Sequence, residues 1–156
     1  EVSDGNYPIL ATSGEIGRSD RPLYKGPSVL IGRKGTIDRP QFMEEPFWSV
    51  DTLFYTKMLG GNCAKYLFYR FQMIDWRQYN EASGVPSLNS KTIERIEFLC
   101  PEPDEQLAIV EVLEDMDAEI SALAERLTKL IGIRSAVVVE LLTGVRRLSC
   151  GAQSND

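Results

Sequence analysis

From Glu105 to Gly144 the chain sets out its apolar residues in alternating steps of four and three. Ile109, Leu113, Met116, Ile120, Leu123, Leu127, Leu130, Arg134, Val137 and Leu141 follow one another in that rhythm, and nine of these ten positions are apolar. A helix lying on its own domain shows a wider stripe at a period of 3.6, whereas a seam held at 3.5 over more than four heptads is the mark of a coiled coil. The spacing therefore predicts a long helix in a section running over 101–144, of roughly 38 residues and ~57 Å. A globule built from the other hundred residues cannot easily cover such a rod. The stripe thus asks for a second helix rather than for the chain's own core.

Charge suggests how a second helix would lie. Residues 102–125 hold nine acids and no bases, whereas residues 126–147 hold five bases and one acid, Glu140. Two parallel copies would set acid against acid, and two antiparallel copies set each acidic half beside a basic half. Each exposed pair is worth only ~0–1 kcal/mol, but the pairs act together on orientation. The same polarity suits the helix dipole. Arg134, the one cation in the seam, has two readings. It fixes register against an acid on the partner, or it snorkels to the edge of the seam.

The segment CPEPDEQ, Cys100 to Gln106, is the expected boundary, because its prolines stop what precedes and its acids suit a helix start, with Glu102 or Asp104 as cap. Gly144 is a natural stop, and 145–156 reads as a tail, with SCGAQSND unstructured. Residues 1–100 read as an irregular α/β (α+β) globule. YPILA (7–11), SVLIGR (28–33) and DTLFYTK (51–57) have strand character. NCAKYLFYRFQMID (62–75) reads as a largely buried helix with Asn62 as a possible cap. SKTIERI (90–96) reads as one or two helical turns begun by Ser90, leading to a last strand near Glu97–Leu99.

Composition narrows the chemistry. The chain of 156 residues has no histidine and three widely spaced cysteines, Cys63, Cys100 and Cys150. No zinc site or disulfide framework is expected, and a reducing, cytoplasmic setting is the default. No apolar run approaches the ~20 residues of a membrane helix. No P-loop, S-adenosylmethionine fingerprint, N-P-P-Y-like motif or nuclease E-x-K is present, so catalysis by this chain alone is not expected. The net charge of −6 argues at first against nucleic acid, but residues 1–100 are balanced at 12 bases and 12 acids, and the deficit lies in the helix section.

The blocks YPIL, YKGPSVLIGRKGTID, EPFWSVDTLFY, NCAKYLFYRF, SGVPSLNSKTIERIEFLCPEPDEQ and LLTGVRRL, in that order, resemble type I restriction–modification specificity subunits. No single block is specific; the ordered set over roughly residues 5–148, with its EQ helix, is. The resemblance implies a mixed α/β target-recognition domain that reads one half of a bipartite double-stranded DNA site. It also implies an antiparallel helix pair that spaces two such domains, in a complex with methyltransferase and restriction subunits. The pairing would be with a second specificity half or a second copy of the chain. S-adenosylmethionine would belong to the methyltransferase subunit, and no cofactor to this chain. A full specificity subunit has two recognition domains and two helices. The sequence is accordingly expected to be a fragment, a natural half-subunit or the C-terminal half of a longer chain.

The expected DNA-binding residues are Arg18, Arg21, Lys25, Arg33, Lys34 and Arg39, opposed in the segment 16–40 only by Asp20 and Asp38. GRKG (32–35) is glycine-flanked, so its backbone can come close to a phosphate, or it is a plain hairpin turn with solvated charges. Phe47, Trp48, Asp51, Thr52 and Leu53 are read as structural, and GVPSLN (84–89) as a turn before the last strand rather than a DNA-facing loop. The alternative function is a protein-interaction coiled coil with a globular head and no DNA role; salt-dependent duplex binding separates the two.

Overall fold

The structure is a computed structural model and describes residues 5–148. Ser149–Asp156, with Cys150 and the segment SCGAQSND of the expected tail, lie outside the described residues. Six strands and three α-helices occur in the order β1 Tyr7–Ala11, β2 Gly14–Ser19, β3 Ser28–Gly32, β4 Gln41–Met43, β5 Trp48–Ser49, β6 Leu53–Tyr55, α1 Ala64–Gln72, α2 Ser90–Ile93 and α3 Pro103–Leu142. A 3-10 turn, Trp76–Tyr79, follows α1. Chain contacts gather residues up to Glu111 into one compact unit and those from Val112 into another. The first turns of α3 thus belong to the mixed unit.

That unit holds two three-stranded sheets, ordered β2-β1-β5 and β4-β3-β6. The β1–β2 hairpin is antiparallel, and β5 joins β1 in parallel through Ile9↔Trp48 and Leu10↔Ser49. In the second sheet β3 lies between two antiparallel neighbours, Val29 facing Phe42 and Ile31 facing Phe54. SVLIG is buried at every position, which is why it reads as an unbroken apolar run rather than an alternation. The residues of β3 divide between two cores. Val29 and Ile31 pack with Ile37, Phe71, Trp76 and Leu88, and Leu30 packs with Leu10, Phe47 and Leu53. Phe47 and Leu53 are core, as expected of them, while Asp51 lies on the surface.

Several expectations need correction. β2, β4 and β5 were not expected, because GEIGRS, QFM and WS are too short or too rich in glycine and charge to show a period. No strand occurs at Glu97–Leu99; the segment 96–100 has no ladder partner among the described residues. The N-cap of α1 is Cys63, not Asn62. Helix α2 does begin at Ser90, but the cap is Asn89, whose Oδ1 accepts from the Lys91 N–H at 3.0 Å. GVPSLN therefore leads into α2, not a strand. At the start of α3 the Glu102 carbonyl accepts the first helical bond, from the Gln106 N–H at 3.0 Å, and Asp104 stands inside the first turn. Helix α3 ends at Leu142 with Gly144 just beyond it, as expected. No helix among the described residues is long and apolar enough to cross a membrane.

Candidate nucleic-acid interface

The expected basic residues do not form one patch. All six are exposed, but the hairpin and β3 part them into two groups. Arg33 and Lys34 leave the C-terminal end of β3, and Lys25 precedes its N-terminal end. Arg18 faces Pro8 near the open end of the β1–β2 hairpin, several residues from its turn at 12–13. Arg18 is also occupied: its guanidinium pairs with Glu15 at 3.3 Å and donates to the Asn6 carbonyl at 3.3 Å. It braces the approach to the first sheet. Arg21 packs its backbone on Ser19, whose hydroxyl donates to the Arg21 carbonyl at 2.9 Å.

Arg33, Lys34 and Arg39 share the loop 33–40 between β3 and β4. This is no tight hairpin. The loop doubles back over β3 so closely that a Cβ at Gly32 would run into the Thr36 carbonyl oxygen, and Gly35 turns the chain at φ +88°. A second segment fixes the loop from the other side. The Gly35 N–H donates to the Pro86 carbonyl at 2.9 Å and the Leu88 N–H to the Arg33 carbonyl at 2.9 Å, while Lys34 and Ser87 form an isolated bridge. Buried Ile37 and Leu88 anchor the two segments in the core. The segment 84–89 is thus both a turn and the outer wall of the basic loop.

Two open grooves flank this wall. One, of ≈ 530 Å³, is lined by Asp38, Arg39, Arg77, Asn80 and Pro86. The other, of ≈ 460 Å³, is lined by Arg33, Lys34, Glu81, Ser87 and Asn89. Arg77 is a cation that sequence reasoning missed, because it comes from the 3-10 turn, 38 residues after Arg39. Its guanidinium donates to Asp38 at 2.7 and 2.8 Å. That hydrogen bond is the main reason the Asp38 carboxyl is held below its ordinary value, against the opposing effect of desolvation. Lys34 and Arg39 have no ion-pair partner among the described residues. Arg33 lies 5.9 Å over the Phe54 ring. Four cations against Asp38 and Glu81 make a positive rim whose side chains can meet phosphate or base edges, whereas the N–H groups of Arg33, Lys34 and Gly35 are already donated to Thr52 and Pro86.

Helix α3 presents the other candidate surface. Met116, Ile120, Leu123, Leu127 and Leu130 each keep 53–63% of their surface exposed, Val137 keeps 37%, and Arg134 is exposed. Ile109, Leu113 and Leu141 are half-buried. The seam is an uncovered apolar stripe among the described residues, far longer than the scattered exposed apolar side chains of an ordinary surface.

The chain, with its mixed two-sheet unit and forty-residue helix, belongs to the family of type I restriction modification DNA specificity domains. The model of the type I restriction modification DNA specificity domain matches residues 2–131. A solved structure, the S subunit of a type I restriction-modification system from M. genitalium, has the same fold with a TM-score of 0.62 at 14% identity. The match covers 89% of this chain and 39% of that one, so the chain spans well under half the length of this relative. No curated protein sequence matches the chain.

Proposed function

We propose that this chain is a half specificity module of a type I restriction–modification enzyme, reading one half of a bipartite duplex site and pairing through α3 with an antiparallel second helix. The observation that carries this reading is the extent of the family match, which runs through the mixed unit and into the exposed seam of α3. The rim of Arg33, Lys34, Arg39 and Arg77 meets the DNA. Phosphate contacts there set position and affinity, and contacts to base edges set the sequence read. Arg18 acts in the fold, and Arg21 and Lys25 stand apart from the rim. The second helix comes from another specificity half or from a second copy of this chain. Methyltransferase and restriction subunits assemble on the pair, and S-adenosylmethionine and the chemistry belong to them, in the cytoplasm. This chain performs no catalytic step.

The test is selection of bound duplexes from a random pool by the chain reconstituted with a methyltransferase subunit. The expected result is a short fixed motif, with binding that falls steeply as salt rises. Recovery of no motif, together with salt-independent binding, favours a coiled-coil interaction module instead.

A further inference from the structure

Gln106, in the first turns of α3, is the most buried large polar side chain of the unit, at 0% exposure. Its amide is fully used. Oε1 accepts from the Cys63 N–H at 2.8 Å. Nε2 donates to Asn62 Oδ1 at 2.7 Å and to the Pro101 carbonyl at 2.8 Å, with Cys100 Sγ at 3.4 Å. Cys63 is the N-cap of α1 and its side chain makes no capping bond. A glutamine at the third helical position often satisfies the N–H of its own helix's cap. Here the glutamine that does so for α1 comes from another helix, 43 residues on. Asn62 completes the lock, its amide donating to the Leu59 carbonyl at 2.7 Å. Val110, one turn further along α3, is buried as well.

We infer that Gln106 is a positioning residue: it locks the root of α3 to the N-terminus of α1 and so fixes the direction in which the spacer helix leaves the recognition unit. This rests on the reading of α3 as the spacer between two half-sites. The leverage is large. From Val112 to Leu142 the helix runs about 45 Å, so a swing of about 5° at its root moves its far end by about 4 Å, more than the ~3.4 Å of one base-pair step. A spacer that selects one half-site separation therefore needs a root stiff to a few degrees. Only an amide suits the position. A carboxylate keeps the bond from the Cys63 N–H but meets two acceptor oxygens, and an apolar isostere leaves the half-buried Cys63 N–H and Pro101 carbonyl without their side-chain partner.

The experiment measures the helix direction without DNA. Spin labels carried on non-natural residues replace Glu45, on a surface loop, and Glu125, on the helix away from the seam, and labelled chain is diluted with unlabelled chain. The wild type is expected to give a narrow distance distribution. Gln106→Met is expected to broaden it by about 2 Å or more, the displacement the same swing produces at Glu125, about 20 Å along the helix from Val112, while Leu88→Ala, which loosens the core elsewhere, leaves it narrow. Should Gln106→Met not fold, Gln106→Asn takes its place; it keeps the amide one methylene short of its partners. An unchanged width in the Gln106 variant, or equal broadening in Leu88→Ala, overturns the proposal. In the assembled methyltransferase, Gln106→Met is then expected to methylate neighbouring spacings while reading the same half-sites. If the wild type reads no DNA, the functional reading fails but the distance result still decides the lock.

Discussion

Replacing Leu123 and Leu127 together by aspartate probes the seam where an antiparallel pair has its centre. Both leucines keep more than half of their surface in the lone chain, 56% and 60%. Pairing can therefore still bury about half of each side chain, worth about 1 kcal/mol apiece. A symmetric pair contains four such leucines, so their loss alone removes about 4 kcal/mol, or nearly a thousandfold in Kd. The four carboxylates that replace them add a desolvation penalty of several kcal/mol each if they stay charged in the seam. The mixed unit is untouched, since neither leucine packs in it. In sedimentation at tens of micromolar the wild type is expected to run as a pair and the variant as a single chain, with thermal unfolding of the mixed unit unchanged. Leu123→Cys chain mixed with Leu127→Cys chain is expected to cross-link, because in that register 123 of one copy faces 127 of the other, and cysteines near Ile109 are expected to cross-link to those near Leu141 and not to each other. A wild type that sediments as a monomer would refute self-pairing. A variant that still pairs would show that the seam is not the contact.

Arg33→Ala with Lys34→Ala is expected to lower DNA affinity. A lost phosphate contact weakens all sequences alike and reduces the salt slope by about one, whereas a lost base contact costs ~1–3 kcal/mol and relaxes one position; titrations at several salt concentrations distinguish them, and unchanged affinity and specificity remove the loop from the site. A seven-residue insertion near Ser121–Ala122 is expected to keep the seam, lengthen the rod by ~10 Å and move the half-sites apart by about three base pairs. Mapping of methylated sites reads this directly, and unchanged spacing in an active variant would mean that the helix is not the ruler. Asp38 is expected to titrate below the ordinary carboxylate range in the native chain, where the Arg77 guanidinium donates to it, and to return toward that range in Arg77→Ala, as followed by NMR. Because its folded pKa is the lower one, the stability it lends is present above the unfolded value and fades as pH falls through the folded one.

What the sequence made legible was whatever depends on near neighbours. YPILA and SVLIG read as strands because their burial is continuous along the chain, and α3 reads as a rod because its period repeats for ten positions. What stayed hidden depends on pairing across distance. Nothing in GEIGRS announces β2, whose strand character comes from its register with β1. Nothing in WS announces β5, which lies parallel to a strand some forty residues earlier. The basic segment 16–40 looked like one patch because its charges are close in sequence; β3 and the hairpin carry them to different ends. Arg77 joined the rim from a turn that gave no sign of facing Asp38. Gln106 looked like part of an acidic helix start, and its partners Asn62 and Cys63 lie more than forty residues earlier.

The lock at the root of α3 also bears on how freely this chain can change. Two of the four groups around the Gln106 amide are main-chain atoms, the Cys63 N–H and the Pro101 carbonyl, which most substitutions at those positions leave in place. A third, Cys100 Sγ, is a weak acceptor. Drift at positions 63 and 100 is therefore buffered by the backbone, and the mutational load of the joint falls on Asn62 and Gln106. The loops at 33–40 and 80–90 stand apart from that pair. On the function proposed above, new recognition surfaces can be tried on them without disturbing the attachment of the spacer, and half-site sequence and half-site separation would be heritable as independent traits.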